Sequence, residues 1–146
     1  MRKLTALLAL ALAVPSLALA AKPTDPGKSQ QSHGKAAPKV LYILKGTLSG
    51  YTAATATTPG SIAILVKHAN RHGAALKSVT TPLVFTLPAT AKVKIGQGRT
   101  TIGDGDRGIV KVRAAKAART TAATDLATLL QAQPAAQVID QKKASS

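Results

Sequence analysis

The feature that most constrains this chain is the alternation of apolar residues between Ser61 and Ala69. Ile62, Ile64 and Val66 fall on one face at a period of two, and the one charged residue lies near the end of the segment. β-Branched residues at alternate positions are typical of a strand that packs mainly on one side. The pattern predicts a central strand, with neighbouring strands at 40–51, 83–95 and 108–114.

Two residues interrupt these neighbouring strands in ways that carry structural meaning. Gly46, in the middle of the first one, indicates a bend or a bulge. Pro88 cannot donate to a strand ladder, so the segment from Pro82 to Ile95 is predicted to form a bent strand or two short strands. A further short strand is predicted at 99–102.

The only helical pattern lies between Lys116 and Gln133, where Leu126, Leu129 and Leu130 recur at spacings of three and four. Thr124 is predicted to cap this helix. A last strand is predicted at 135–140. The predicted fold class is therefore all-β with one short helix, a small barrel of five to six strands that is OB-like or related, closed or partly open, within a single domain at 40–141.

The first 20 residues have the composition of a secretory signal peptide. Arg2 and Lys3 precede an apolar run that is shorter than the roughly 20 residues needed to span a bilayer. Ala18 and Ala20 then provide a small-x-small cleavage site before Ala21. The sequence predicts a secreted or cell-envelope protein, cleaved near Ala20, without a transmembrane segment in its mature chain.

Two polar segments flank the predicted domain. Residues 21–39 contain three prolines, two glycines and four lysines, and no apolar residue larger than alanine. Such a segment cannot bury enough surface to offset its ordering entropy, so it is predicted to be a flexible basic leader. Residues 142–146 are predicted to be a polar tail.

The charge balance of the chain is strongly basic. Without residues 1–20, 18 Lys and Arg face five Asp, which gives a formal net charge of +13. A field of this sign attracts polyanions, and it also keeps a small protein soluble.

The residue types that enzymes and metal sites need are scarce. The chain has no cysteine and no glutamate, and only two of its five aspartates, Asp104 and Asp106, are close in sequence. His68 and His72 supply two of the three or four ligands of a metal site. The Gly103, Gly105 and Gly108 spacing resembles a nucleotide loop, but it opens a predicted strand rather than a helix. The prediction is a non-enzymatic protein without cofactor or metal.

One basic surface follows from a hypothesis about strand pairing. If 91–95 and 109–113 are antiparallel neighbours, four cations share an outer face and two more lie at the rim of the connecting loop. The candidate polyanion-binding residues are Lys92, Lys94, Arg99, Arg107, Lys111 and Arg113. Two functions remain open: a structural or interaction module of unknown specific role, or a barrel that binds anionic wall polymer or nucleic acid.

The order of these patterns is similar to a known kind of domain. A strand with a central glycine, Lys45-Gly46-Thr47, is followed by two strands, then by a Gly105-Asp106 turn into a basic alternating strand and a short last strand. This resembles the small OB-like barrel domains of unknown function found in exported bacterial proteins, over residues 40–140. Gly108 and the short helix are additions to that pattern. The resemblance implies no catalytic residues.

Overall fold

The computed structural model describes residues 37–142. The predicted signal peptide with its cleavage site at Ala18, Ala20 and Ala21, nearly all of the predicted leader, and residues 143–146 lie outside the described residues. The predictions made for those segments stay predictions.

Six strands form one curled sheet that resembles half of a barrel. The strands are β1 (Lys39–Thr52), β2 (Gly60–Ala69), β3 (Leu83–Leu87), β4 (Lys92–Lys94), β5 (Arg107–Ala115) and β6 (Ala135–Asp140). Their order across the sheet is β3-β2-β1-β5-β6-β4. Together with one α-helix, α1 (Ala123–Gln131), they confirm the prediction of an all-β, barrel-like fold with one short helix.

Alternation along the strands separates a buried concave face from an outward convex face. Ile62, Ile64 and Val66 are buried, as predicted, and they pack with alternate residues of the other strands. The inward residues of the adjacent strands that complete this core are Tyr42, Leu44, Leu48, Leu83, Phe85, Leu87, Val110, Val112, Ala114, Ala135 and Val138. The hydrophobic effect of this burial holds the curled sheet together.

The core is covered by α1 and by a short 3₁₀ helix, Ala74–Ser78, for which the sequence analysis made no prediction. Leu126 and Leu130 of α1 are buried, in agreement with their predicted spacing. The predicted cap at Thr124 is wrong, because the helix begins after Ala122 and no side chain caps it. The short strand predicted at 99–102 is also absent from the described residues, although Ile102 is buried in the core.

The predicted irregularity at Gly46 is confirmed as a β-bulge between β1 and β2. Lys45 pairs with His68, whereas the next residue, Gly46, pairs with Val66, so that Lys67 has no partner on β1. A side chain at Gly46 would overlap the carbonyl oxygen of Leu65, which means that the two backbones approach closely here. Glycine is the residue that permits such an approach.

Candidate anion-binding surface

The convex face of the sheet carries positive charge without compensating acid. Its outward strand positions hold eight cations, namely Lys39, Lys45, Lys67, Lys92, Lys94, Arg107, Lys111 and Arg113. Asp140 is the only acidic residue in the six strands, and it is buried rather than outward. Within the described part of the chain, the convex face therefore presents a field of one sign.

The strand pairing that suggested this surface was predicted wrongly. β4 and β5 are not neighbours, because β6 lies between them, antiparallel to β5 and parallel to β4. Lys92 and Lys111 both pair with Gln137 and so lie on either side of it. Two strand spacings separate the two lysines by about 10 Å. Five of the six predicted cations, all except Arg99, lie on the convex face, and their wider spacing weakens their mutual repulsion.

In the next row of the sheet, two aliphatic side chains lie between the basic ones. Register partners across five strands place Lys94, Ile139, Ile109, Lys45 and His68 side by side. The two isoleucines are partly exposed, whereas both lysines and the histidine are exposed. The aliphatic parts of lysine side chains cover apolar neighbours while their charged ends reach water. This arrangement therefore exposes charge and covers apolar surface.

Arg99 does not contribute to the convex face. Its guanidinium forms ion pairs with Asp106 and, at 3.1 Å, with Asp140, and both carboxylates are almost fully buried. The backbone N–H of Gly103 also donates to Asp106 Oδ2, at 2.7 Å. Lys142 Nζ lies 3.1 Å from the other oxygen of Asp106. Arg99 is thus engaged in a buried ion cluster that joins the glycine loop to β5 and β6.

This cluster sets the charge state of Asp106. Burial by itself would raise the pKa of its carboxyl group. The hydrogen bonds from Arg99, the Gly103 N–H and Lys142, and the charge of Arg99, outweigh that effect and lower the pKa below its usual value. Asp106 is therefore a carboxylate in the folded protein at neutral pH.

Acid is expected to destabilise the protein through Asp106. Because the folded-state pKa lies below the unfolded value of about 3.9, the carboxylate stabilises the fold above that pH and loses its contribution as the pH falls through the folded pKa. Urea unfolding followed by circular dichroism between pH 6 and pH 2.5 should show the decline. Asp106→Asn should flatten it, whereas Asp125→Asn, at an exposed position of α1, should not. An unchanged acid slope in Asp106→Asn would contradict the assignment.

The loop between β4 and β5 is built as a turn, as the sequence analysis proposed. Gly105 has a φ of +86°, and its N–H donates to the Leu48 carbonyl oxygen at 2.9 Å. Asp104 accepts a hydrogen bond from the Gly50 N–H at 2.8 Å. These contacts fasten the loop to β1. The carboxylates of Asp104 and Asp106 both accept hydrogen bonds from other groups of the protein.

Other features of the described residues bear on the remaining predictions. No group of three or more His, Asp, Glu or Cys side chains in residues 37–142 is arranged to hold a metal ion. The His72 ring meets the ring of buried Tyr42 edge-on, with centroids 6.1 Å apart.

Among the helices of residues 37–142, none is long and apolar enough to cross a membrane.

The fold and the surface define a class in structural terms, a small curled β-sheet domain with a basic convex face. Comparison with protein-family models, with curated proteins and with solved structures found no match to this chain.

Proposed function

We propose that this protein is an exported, non-enzymatic interaction module that binds a phosphate-rich anionic polymer of the cell envelope through its convex face. The observation that carries the proposal is the distribution of charge on the sheet: every charged residue that points outward from the strands is a cation. Between residues 37 and 142 the chain has 14 Lys and Arg against four Asp, and two of those aspartates are buried with Arg99.

The polymer is a better candidate than single-stranded nucleic acid. Proteins that bind single strands without sequence preference usually stack bases on exposed aromatic side chains. Tyr42 and Phe85 are fully buried, and Tyr51 packs against the core. A polymer whose repeating charge is a phosphate diester needs cations and hydrogen-bond donors, which the convex face has, and needs no stacking.

Export supports the choice of partner. The predicted signal peptide at 1–20 would deliver the domain to the compartment in which wall polymers are found. A non-enzymatic role agrees with the composition, since the chain has neither cysteine nor glutamate and Asp106 and Asp140 are held in ion pairs.

Neutralising two cations of the convex face is expected to weaken polymer binding. Lys92→Gln with Lys111→Gln removes the two cations on either side of Gln137 and should reduce the affinity for a glycerol-phosphate oligomer about tenfold at about 0.15 M salt. The slope of log K against log salt should fall by about 1.4, because a single-stranded polyanion gives about 0.7 per contact. Fluorescence polarisation with a labelled oligomer measures both quantities.

The control variant removes the same charge elsewhere. Lys77 lies on the 3₁₀ helix and Lys116 follows β5, so Lys77→Gln with Lys116→Gln leaves the convex face intact. This variant should stay within about twofold of the wild type. Equal losses in the two double variants would show diffuse attraction and contradict the proposal. Tighter binding of a 20-nucleotide DNA strand than of the oligomer would also contradict it, in favour of nucleic acid.

A further inference from the structure

The β-bulge between β1 and β2 creates a hollow in the basic surface. The hollow has a volume of about 370 Å³ and is lined by Lys45, Gly46, Thr47, Lys67, His68, Arg107, Gly108 and Gln141. No acidic side chain lines it. Its volume falls within the range of small-ligand sites in proteins, about 300 to 1,000 Å³.

The bulge explains why cations converge on this hollow. In a regular strand Lys67 and His68 would point to opposite faces, but here both side chains are exposed. His68 is the register partner of Lys45, and Lys67 is the extra residue without a partner on β1. Bulges redirect side chains in this way and recur beside functional sites.

β5 supplies the third cation from the opposite side of β1. Arg107 pairs with Thr47, which places it diagonally from Lys45, within reach of a long side chain. The Arg107 carbonyl oxygen accepts a hydrogen bond of 2.9 Å from the Gln141 N–H, so the chain after β6 is fixed beside the hollow. Gly46 and Gly108, which are register partners on β1 and β5, also line the hollow.

We propose that this hollow binds one phosphate group together with the hydroxylated carbon unit that it esterifies. Cations from β1, β2 and β5 surround the space, which suits a tetrahedral group of three or four oxygens, and charge-assisted hydrogen bonds to phosphate are among the strongest available to a protein. The Thr47 hydroxyl and the Gln141 amide are uncharged partners for the hydroxyl groups of the carbon unit. The proposal rests on the proposed function and names the repeating unit that the polymer presents.

The test is a titration of the full chain, labelled with ¹⁵N, with inorganic phosphate, glycerol 1-phosphate and a glycerol-phosphate oligomer at constant ionic strength. Saturable shifts should be confined to the amides of 45–47, 67–68, 107–108 and 141. Lys45→Gln with Lys67→Gln should reduce the affinity for glycerol 1-phosphate about tenfold or more. The spectrum of the variant reports at the same time whether it is folded.

A second basic hollow provides a matched control. It is lined by Arg71, His72, Lys116 and Arg119 among others and shares no lining residue with the first hollow. Arg71→Gln with Arg119→Gln should leave the affinity within about twofold of the wild type. Equal losses in both double variants, or shifts spread over every exposed cation, would overturn the proposal.

The oligomer separates this proposal from the proposed function. One outcome is that the oligomer binds more tightly than glycerol 1-phosphate, with a difference in affinity that disappears in Lys92→Gln with Lys111→Gln. That result supports both the hollow as a phosphate site and the convex face as the polymer-binding surface. Equal affinity for monomer and oligomer supports the hollow and contradicts the polymer as its natural ligand. Oligomer binding without any saturable response to glycerol 1-phosphate overturns the hollow and leaves the convex face as the binding surface.

Discussion

Replacing Arg99 by alanine is expected to lower the free energy of unfolding by about 3 to 5 kcal/mol, the usual cost of removing one partner of a buried ion pair. Arg99 contacts both buried carboxylates of the domain, and Asp140 has no solvent-exposed side-chain surface. Without the guanidinium, Asp106 would keep the Gly103 N–H and Lys142, while Asp140 would keep the N–H groups of Gly96 and Lys142. Domains of this size are stabilised by about 5 to 15 kcal/mol, so the loss is a large share of the total.

Urea unfolding followed by far-ultraviolet circular dichroism measures the effect, because the chain has no tryptophan to report by fluorescence. Arg113→Ala is the matched control: Arg113 is exposed on β5 and should change stability by no more than about 0.5 kcal/mol. A rescue variant that combines Arg99→Met with Asp106→Asn and Asp140→Asn removes all three charges and should recover much of the loss. Similar stabilities for Arg99→Ala and Arg113→Ala would contradict a structural role for the cluster.

The sequence was sufficient to predict the strands that build the core. Alternation at Ile62, Ile64 and Val66 gives the buried face of β2 directly, because a period of two leaves no other way to bury all three side chains. The division of the segment around Pro88 into β3 and β4 follows from the proline, and Gly46 marks the bulge. These are local signals, in which the residue types themselves restrict the backbone.

Strand order could not be derived in the same way. Lys92–Lys94 is only three residues long and Ala135–Asp140 only six, and neither carries a turn or an alternation that selects a neighbour. The parallel pairing of β4 with β6 joins segments about 45 residues apart in the chain. Adjacent strands in sequence are often neighbours in space, but this rule favoured β4 beside β5, and the insertion of β6 overrides it.

The ion cluster shows the same limit for the candidate site. The contact of Asp106 with the Gly103 N–H group is local, since the two residues are three apart in the chain. Arg99 was instead assigned to the basic surface, because its second partner, Asp140, is 41 residues away and the sequence gives no sign that they meet. The sequence carried one indication of the cluster. It has only five aspartates among many cations, and any aspartate that is buried needs a cationic partner.

Gly46→Ala is expected to cost about 2 to 4 kcal/mol, because the added carbon has no space and its neighbours are backbone atoms. It would overlap the Leu65 carbonyl oxygen and lie 2.9 Å from the Leu65 carbonyl carbon and 3.2 Å from the Lys67 nitrogen. Backbone atoms of a paired strand cannot move aside as a flexible side chain can, so the β1–β2 ladder must shift at the bulge. Urea unfolding measures the loss.

Gly50→Ala separates this crowding from backbone strain. Gly50 has a φ of +56°, but a carbon added there meets no atom within 4 Å, so only the left-handed conformation should cost energy, about 1 to 2 kcal/mol. If Gly46→Ala remains folded, it should also bind glycerol 1-phosphate more weakly than Gly50→Ala does. Neither change removes a cation, but only Gly46→Ala displaces Lys67 and His68. Stability and phosphate affinity that are the same in the two variants would contradict both the crowding and the role of the bulge in holding the cations together.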